Sequence, residues 1–297
     1  ETCRLARKPH CRAISTCRAV ATAERDEASE IILYGEEAEL YAKIFGDRQF
    51  EKEAEFLVEA FAKHAGRQPL SALELGCGPA RHSAALAAQG LRVTAVDSSP
   101  QMIALAGRDA DAAGAAVTFV EADIRSHVLP EGGVADLAFM LCGTLSHLLD
   151  NDAALACFSA VSRSLAPGGC LVLEMLHPED IFGGTIDCGT AWDIDADKGQ
   201  GALTVNYGIE GDEFDPLTQV LQRTVEVLEW TDPEGDNRKE LLTDIVPQRF
   251  FTSQEIDLLA RANGLKVVGC YGEMAVPFVD TDHEDSYALV MVLQKPQ

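Results

Sequence analysis

The chain has 297 residues, 47% hydrophobic and 24% charged, enough apolar material for one large domain or a core domain with an insertion. No run approaches the roughly 18 to 20 uninterrupted apolar residues of a membrane helix, so a soluble chain is expected. The formal charge of −24 is uneven: residues 1–23 carry five bases against Glu1, a balance of +4, which leaves −28 on residues 24–297. A body that acidic repels phosphate backbones and argues against a nucleic-acid substrate.

Taken in order, the first 23 residues are rich in Arg, Ser, Thr, Ala and Cys and nearly free of acids. Such an arm is expected to be an organelle transit segment, for a chloroplast ahead of a mitochondrion, with the cytoplasm otherwise. With Glu1 in place of an initiator Met, a start further upstream or a trimmed one is expected. The nine cysteines are scattered, odd in number and without a C-x-x-C pair, which points to a reducing compartment and to no metal site. Residues 24–297 form the second expected unit.

From Gln49 to Ala65, apolar residues recur at helical spacing beside Glu51, Lys52, Glu53 and Glu55. SALEL (71–75) reads as a buried strand, Arg81 to Gln89 as a helix, and RVTAVD (92–97) as a strand. Ser99-Pro100 supplies an N-cap and an N1 proline for the next helix. VTFVEAD (117–123), ADLAFML (135–141) and CLVLEML (170–176) are further strands, with a helix over Asn151–Leu165. This alternation predicts a parallel α/β sheet covered on both faces. Residues 178–216, rich in Gly and Asp, read as a long loop or lid. QVLQRTVEVLEW (219–230) and KELLTDIVPQRFF (239–251) then form a β-hairpin, inserted at about 177–250. Thr252 to Glu255 fits a capping box, and KVVGCY (266–271) and SYALVMVL (286–293) close the chain as strands.

The stretch ELGCGPARH (74–82) joins the first strand to a helix through Gly76 and Gly78, which let backbone approach a ligand closely. It is not a dinucleotide fingerprint. Arg81 stands where the third glycine belongs, and Glu74 would oppose a diphosphate, so a nicotinamide oxidoreductase is the weaker reading. A cationic ligand without phosphate fits better, and S-adenosylmethionine meets that description. Asp97 and Asp123 end the next two strands, where they could accept from ribose hydroxyls and from an adenine amino group.

LELGCGPARH (73–82), VTAVDSSPQMIALA (93–106), FVEADIR (119–125), ADLAFMLCGTLSHL (135–148) and LAPGGCLVLE (165–174) together resemble the class I S-adenosylmethionine-dependent methyltransferases. The resemblance implies a Rossmann-like, seven-stranded, mostly parallel sheet whose last strand is antiparallel. It implies cofactor roles for Gly76, Gly78, Asp97, Met102 and Asp123, with Tyr41, Glu74, Ser98, Ile124 and Leu141 completing the set. Ala80 replaces the glycine usual in the family. Tyr41-Ala42-Lys43-Ile44-Phe45-Gly46-Asp47 is similar to the Y-x-x-x-Y-x-D element of the deoxysugar N,N-dimethyltransferase branch, with Phe45 for the second tyrosine. A small-molecule acceptor, methylated on N or O, is implied.

His147 follows the fourth strand and is the candidate base or orienter, weighed evenly against a histidine bonded to backbone at a helix end. His177 is a second candidate, more simply a loop residue before Pro178. Trp192 and Tyr207 are candidates to line a lid. Asp193, Asp195 and Asp197 read as solvated loop and not as a calcium site. Arg81 is expected to pair with an acid of the following helix, the cofactor carboxylate being its other reading. His64 and His127 read as surface residues. The competing function is a non-catalytic methyltransferase-like subunit of an organelle assembly, its partner bound through the basic arm.

Overall fold

The structure, a computed structural model, describes residues 31–177, 189–196, 201–231, 237–282 and 286–297. The basic arm, Pro178 and Asp197 lie outside the described residues.

Seven strands form the main sheet: β1 (Ser71–Leu75), β2 (Arg92–Asp97), β3 (Val117–Glu121), β4 (Ala135–Met140), β5 (Leu165–Leu176), β11 (Lys266–Tyr271) and β12 (Ala288–Gln294). Their order is β11-β12-β5-β4-β1-β2-β3, and β12 runs antiparallel to both of its neighbours. This is the mostly parallel, Rossmann-like sheet the sequence predicts. The chain steps outward from β1 in both directions, so the carboxyl ends of β1 and β4 meet at a switch point, where such sheets bind ligands.

Alternation along the strands divides the core into two layers. Leu73, Leu75, Met140, Leu171 and Leu173 face one side, covered by α5 (Asn151–Ser164) and α6 (Ser253–Ala262). Ala72, Leu137, Phe139 and Val172 face the other, under α2 (Phe50–Ala65) and α3 (Arg81–Ala88). Phe56, Phe61, Phe139 and Phe158 are fully buried, and each such side chain contributes about 1.5–3 kcal/mol. Both faces of the sheet are therefore dry.

The local stop and start signals act as their chemistry dictates. Ser99 accepts from Met102 N at 3.1 Å and opens α4 (Pro100–Ala113). At α6, Thr252 and Glu255 form a reciprocal capping box.

The insertion is larger than a hairpin. β6 (Thr190–Ile194), β7 (Leu203–Tyr207), β8 (Phe214–Asp215), β9 (Val220–Trp230) and β10 (Arg238–Arg249) make a second, antiparallel sheet. The reading of 178–216 as loop is thus corrected at β6, β7 and β8. These strands are short and flanked by Gly and Asp, which hides their alternation. Inward-facing Leu203, Val205, Val225, Val227 and Val246 pack against Leu33 and against Ile44 of α1 (Ala38–Ile44). The residues before α1 also strap the two sheets together. Leu33 N donates to Asp244 Oδ2 of β10 at 3.0 Å, and Ser99 Oγ donates to Tyr34 O at 2.7 Å.

Two histidines differ from their surface reading. His127 is 3% exposed, with Nδ1 2.9 Å from Ile124 O and Nε2 3.0 Å from Ser164 Oγ. His64 is half-buried, and its Nε2 lies 2.8 Å from Tyr271 Oη.

Candidate functional site

Between β1 and α3 the backbone takes three left-handed residues, Gly76 (φ 66°), Gly78 (φ 49°) and Ala80 (φ 54°). Gly76 has no room for a side chain: a Cβ there would lie 2.5 Å from Thr144 Cγ2, on the turn that follows β4. A Cβ on Gly78 would meet Tyr41 at 3.5 Å and Met102 at 4.0 Å. Ala80 holds a conformation suited to glycine, which accounts for the family preference there.

Asp97, at the end of β2, anchors this loop. Its Oδ2 accepts from Gly78 N at 2.8 Å and its Oδ1 from Ser99 N at 2.9 Å. Burial raises its pKa against the pull of these N–H groups. The carboxylate is only partly buried, so its remaining lone pairs can accept hydroxyl groups. Ser98 beside it is exposed.

A cleft of about 480 Å³ opens beside the loop, lined among others by Tyr41, Phe45, Arg48, Glu74, Leu141 and Cys142. Behind it runs a chain of buried ionic groups. Glu74 accepts from Ser83 N at 3.1 Å and from Ser83 Oγ. His82 Nε2 lies 2.7 Å from Glu53 Oε2, and its Nδ1 lies 3.7 Å from Glu74 Oε1. Arg48 Nη2 donates to Glu53 at 2.8 Å and to Glu174 Oε1 at 3.0 Å, while Glu174 Oε2 accepts from Cys142 N at 2.8 Å.

Burial would lower the His82 pKa, but hydrogen bonds donated to the two carboxylates raise it to about 9. For Glu53, burial acts to raise the pKa, and bonds from His82 and Arg48 hold it below the usual range. With His82 protonated, three carboxylates face two cations. The net charge behind the cleft is then −1, which suits a cationic ligand.

Tyr34, Tyr41, Phe45, Trp192 and Tyr207 pack as a continuous aromatic cluster, of which Tyr41 and Phe45 line the cleft; Tyr34–Tyr41, Tyr41–Phe45, Phe45–Trp192 and Phe45–Tyr207 centroids lie 4.8–5.7 Å apart. Tyr34 Oη and His147 Nε2 are 3.2 Å apart, and their rings meet edge to face. Burial lowers the His147 pKa to about 4, so its imidazole is neutral at pH 7. Cys142 lines the cleft, and burial of its sulfur, with the Glu174 carboxylate nearby, pushes the thiol up to about 12.

Several expected residues therefore converge: Tyr41, Glu74, Gly76 and Leu141 line the cleft, while Gly78, Asp97 and Met102 support its loop. Glu74 turns inward to Ser83 and His82. Asp123 does not reach the cleft lining and is held by a bidentate bond from Arg125, which lowers its pKa. Ile124 packs against the core. His177 Nε2 lies 3.0 Å from Thr281 O, and Asp193 accepts from Thr204 Oγ1 at 2.7 Å. Arg81 lies over the Phe50 ring at 5.5 Å and lines the cleft, making no ion pair among the described residues. Sequence reasoning missed Tyr34, Arg48, Glu53, His82 and Glu174. Only Glu174 left a signal, a lone acid inside the apolar run CLVLEML.

Residues 72–169 match the family described as a methyltransferase domain, the stretch that carries the loop, Asp97 and Thr144. That stretch is a match to a methyltransferase domain. Around that methyltransferase core, 222 residues are 29% identical to the cypemycin N-terminal methyltransferase of Streptomyces sp, covering 74% of this chain and 82% of that one. By fold it is similar to a sugar N-methyltransferase from Streptoalloteichus sp (TM-score 0.67, 18% identity, 95% of this chain and 100% of that one). It is also similar to an amino pentose methyltransferase from Micromonospora echinaspora, solved with S-adenosylmethionine bound (TM-score 0.64, 20% identity, 88% and 96%). The chain thus shares the fold of these methyltransferases around that domain match.

Proposed function

We propose that this chain is an S-adenosylmethionine-dependent methyltransferase acting on an amine nitrogen of a small molecule. The observation that carries the reading is the neutral His147, hydrogen-bonded to Tyr34 in the aromatic cluster beside the cofactor loop.

S-adenosylmethionine, when bound, supplies an electrophilic methyl group on a sulfonium. The residues present fit it. Gly76 and Gly78 let backbone approach, Asp97 presents a carboxylate for hydroxyls, and the ionic chain behind the cleft carries net −1. An in-line displacement then needs a lone pair held against that methyl group, and alignment supplies much of the rate. An imidazole with a pKa near 4 is a poor base for an alcohol. It serves well as a neutral hydrogen-bond partner that orients an amine. The same apolar surroundings favour the uncharged form of an amine, leaving its lone pair available. Tyr34 fixes the imidazole, and the aromatic cluster can hold a positively charged methylated product through its ring faces.

The relatives named for N-terminal and sugar N-methylation support nitrogen over oxygen. The test is transfer of a labelled methyl group from S-adenosylmethionine to matched amino and hydroxy forms of the same small acceptors. Labelling of amino forms is expected. Labelling of hydroxy forms alone would reverse the reading.

A further inference from the structure

Arg223, on the inner face of β9, is 6% exposed and has no carboxylate within ion-pair distance among the described residues. Its Nε donates to Gln248 Oε1 at 2.7 Å and its Nη1 to Tyr207 O at 3.1 Å. The guanidinium lies 4.5 Å from the centre of the Tyr207 ring. Gln248 Nε2 in turn donates to Tyr207 Oη at 2.6 Å, which fixes the fork from a second direction. Asp212 lies close by but accepts from Ile209 N and Thr224 N with its Oδ2. Among the described residues Nη2 makes no hydrogen bond, yet it is not sealed, since Arg249 Nε is the one fully enclosed side-chain donor without a partner there.

A guanidinium withdrawn from water with only neutral partners is costly, and its missing counter-charge is usually supplied by something else. In a chain of net charge −24 the lack of a nearby carboxylate is unexpected. The position gives the cause. Tyr207, on which Arg223 stacks, touches Trp192 and also Phe45, which lines the cleft.

We propose that Arg223 is the recognition site for an anionic group, carboxylate or phosphate, on the methyl acceptor. The acceptor then has a nucleophile near His147 and an anion at the inner face of the second sheet. A planar fork with a free Nη2 is suited to either oxyanion. This inference rests on the proposed small-molecule methyltransferase function.

The test uses the full chain, with and without S-adenosylhomocysteine, titrated with acetate, inorganic phosphate and pyrophosphate and followed by calorimetry and thermal shift. A saturable response to at least one anion is expected, and the one that responds separates carboxylate from phosphate. Arg223→Gln is expected to weaken that response at least tenfold while leaving the affinity for S-adenosylhomocysteine unchanged. Gln248→Glu places a carboxylate on Arg223 without altering its shape. It is expected to raise Tm and abolish the anion response, and it decides the matter if Arg223→Gln fails to fold. No saturable response in the wild type, or an unchanged response in Gln248→Glu, would overturn the proposal. Absence of S-adenosylhomocysteine binding beside an intact anion response would count against the cofactor site and leave the anion site standing.

Discussion

His82 Nε2 stands 2.7 Å from Glu53 Oε2, with both groups buried, so the helix that opens from the cofactor loop is tied to α2 by an ionic bond. The imidazole pKa is raised from 6.5 to about 9 in the fold. A raised pKa stabilises the native state fully below the unfolded value, and this contribution disappears as pH climbs through the folded value. Thermal unfolding should therefore show a wild-type Tm that falls between pH 6.5 and 9. The upper bound is on the order of 3 kcal/mol, from about 1.4 kcal/mol per pKa unit. His82→Gln should flatten this slope, and an unchanged slope would show that the imidazole is neutral at pH 7.

Gly76→Ala would place a methyl 2.5 Å from Thr144 Cγ2 on a backbone with φ of 66°. Overpacking and left-handed strain each cost about 1–3 kcal/mol. Loss of stability by that order, with loss of S-adenosylhomocysteine binding, is the expected result of denaturant melts and calorimetry.

The opposite change is favourable at Ala80, whose φ is 54°. Glycine relieves roughly 1–2 kcal/mol of left-handed strain and returns about 0.5–1 kcal/mol in unfolded-state entropy. Ala80→Gly should raise stability by the difference, on the order of 0.5–1 kcal/mol, read from urea midpoints at constant m-value.

Asp97→Asn keeps an oxygen for one of the two N–H groups but loses the charge and an acceptor. Hydrogen bonds to a charged group contribute about 1.5–3 kcal/mol. Affinity for S-adenosylmethionine should therefore drop roughly tenfold to a hundredfold, with the fold retained by circular dichroism.

Tyr34→Phe removes the hydroxyl 3.2 Å from His147 Nε2 while keeping the edge-to-face ring contact. Methyl transfer should slow by about tenfold, the worth of one neutral hydrogen bond, and S-adenosylmethionine affinity should stay as it is. Because His147 is neutral above about pH 4, the wild-type rate should show no histidine step between pH 5 and 8. A step near pH 6.5 would place the imidazole in water.

Much of the frame was legible because its signals are local. The glycine turn, the Ser99 cap and the Thr252 capping box each occupy a few adjacent residues, and strand alternation needs no knowledge of partners. Asp123 follows β3 as a strand-end acid, but its bond from Arg125, two residues on, was not read from the sequence. The ionic chain was out of reach because its pairs are distant in sequence, Glu53 with His82 29 residues apart and Arg48 with Glu174 126 apart. β6 and β7 become strands through partners across the second sheet, which their own five residues do not announce.

The contact between Gly76 and Thr144 has one more consequence. The turn after β1 is the loop proposed for the methyl donor, and the turn after β4 leads to His147, where the acceptor is proposed to sit. Where each turn moved independently, their errors in position would add. Here backbone lies directly against a side chain, and Thr144 Oγ1 bonds back to Leu141 O at 2.9 Å. The two turns thus share a single reference surface. Donor and acceptor are gauged from one point, so the tolerance on their approach is that of one van der Waals contact.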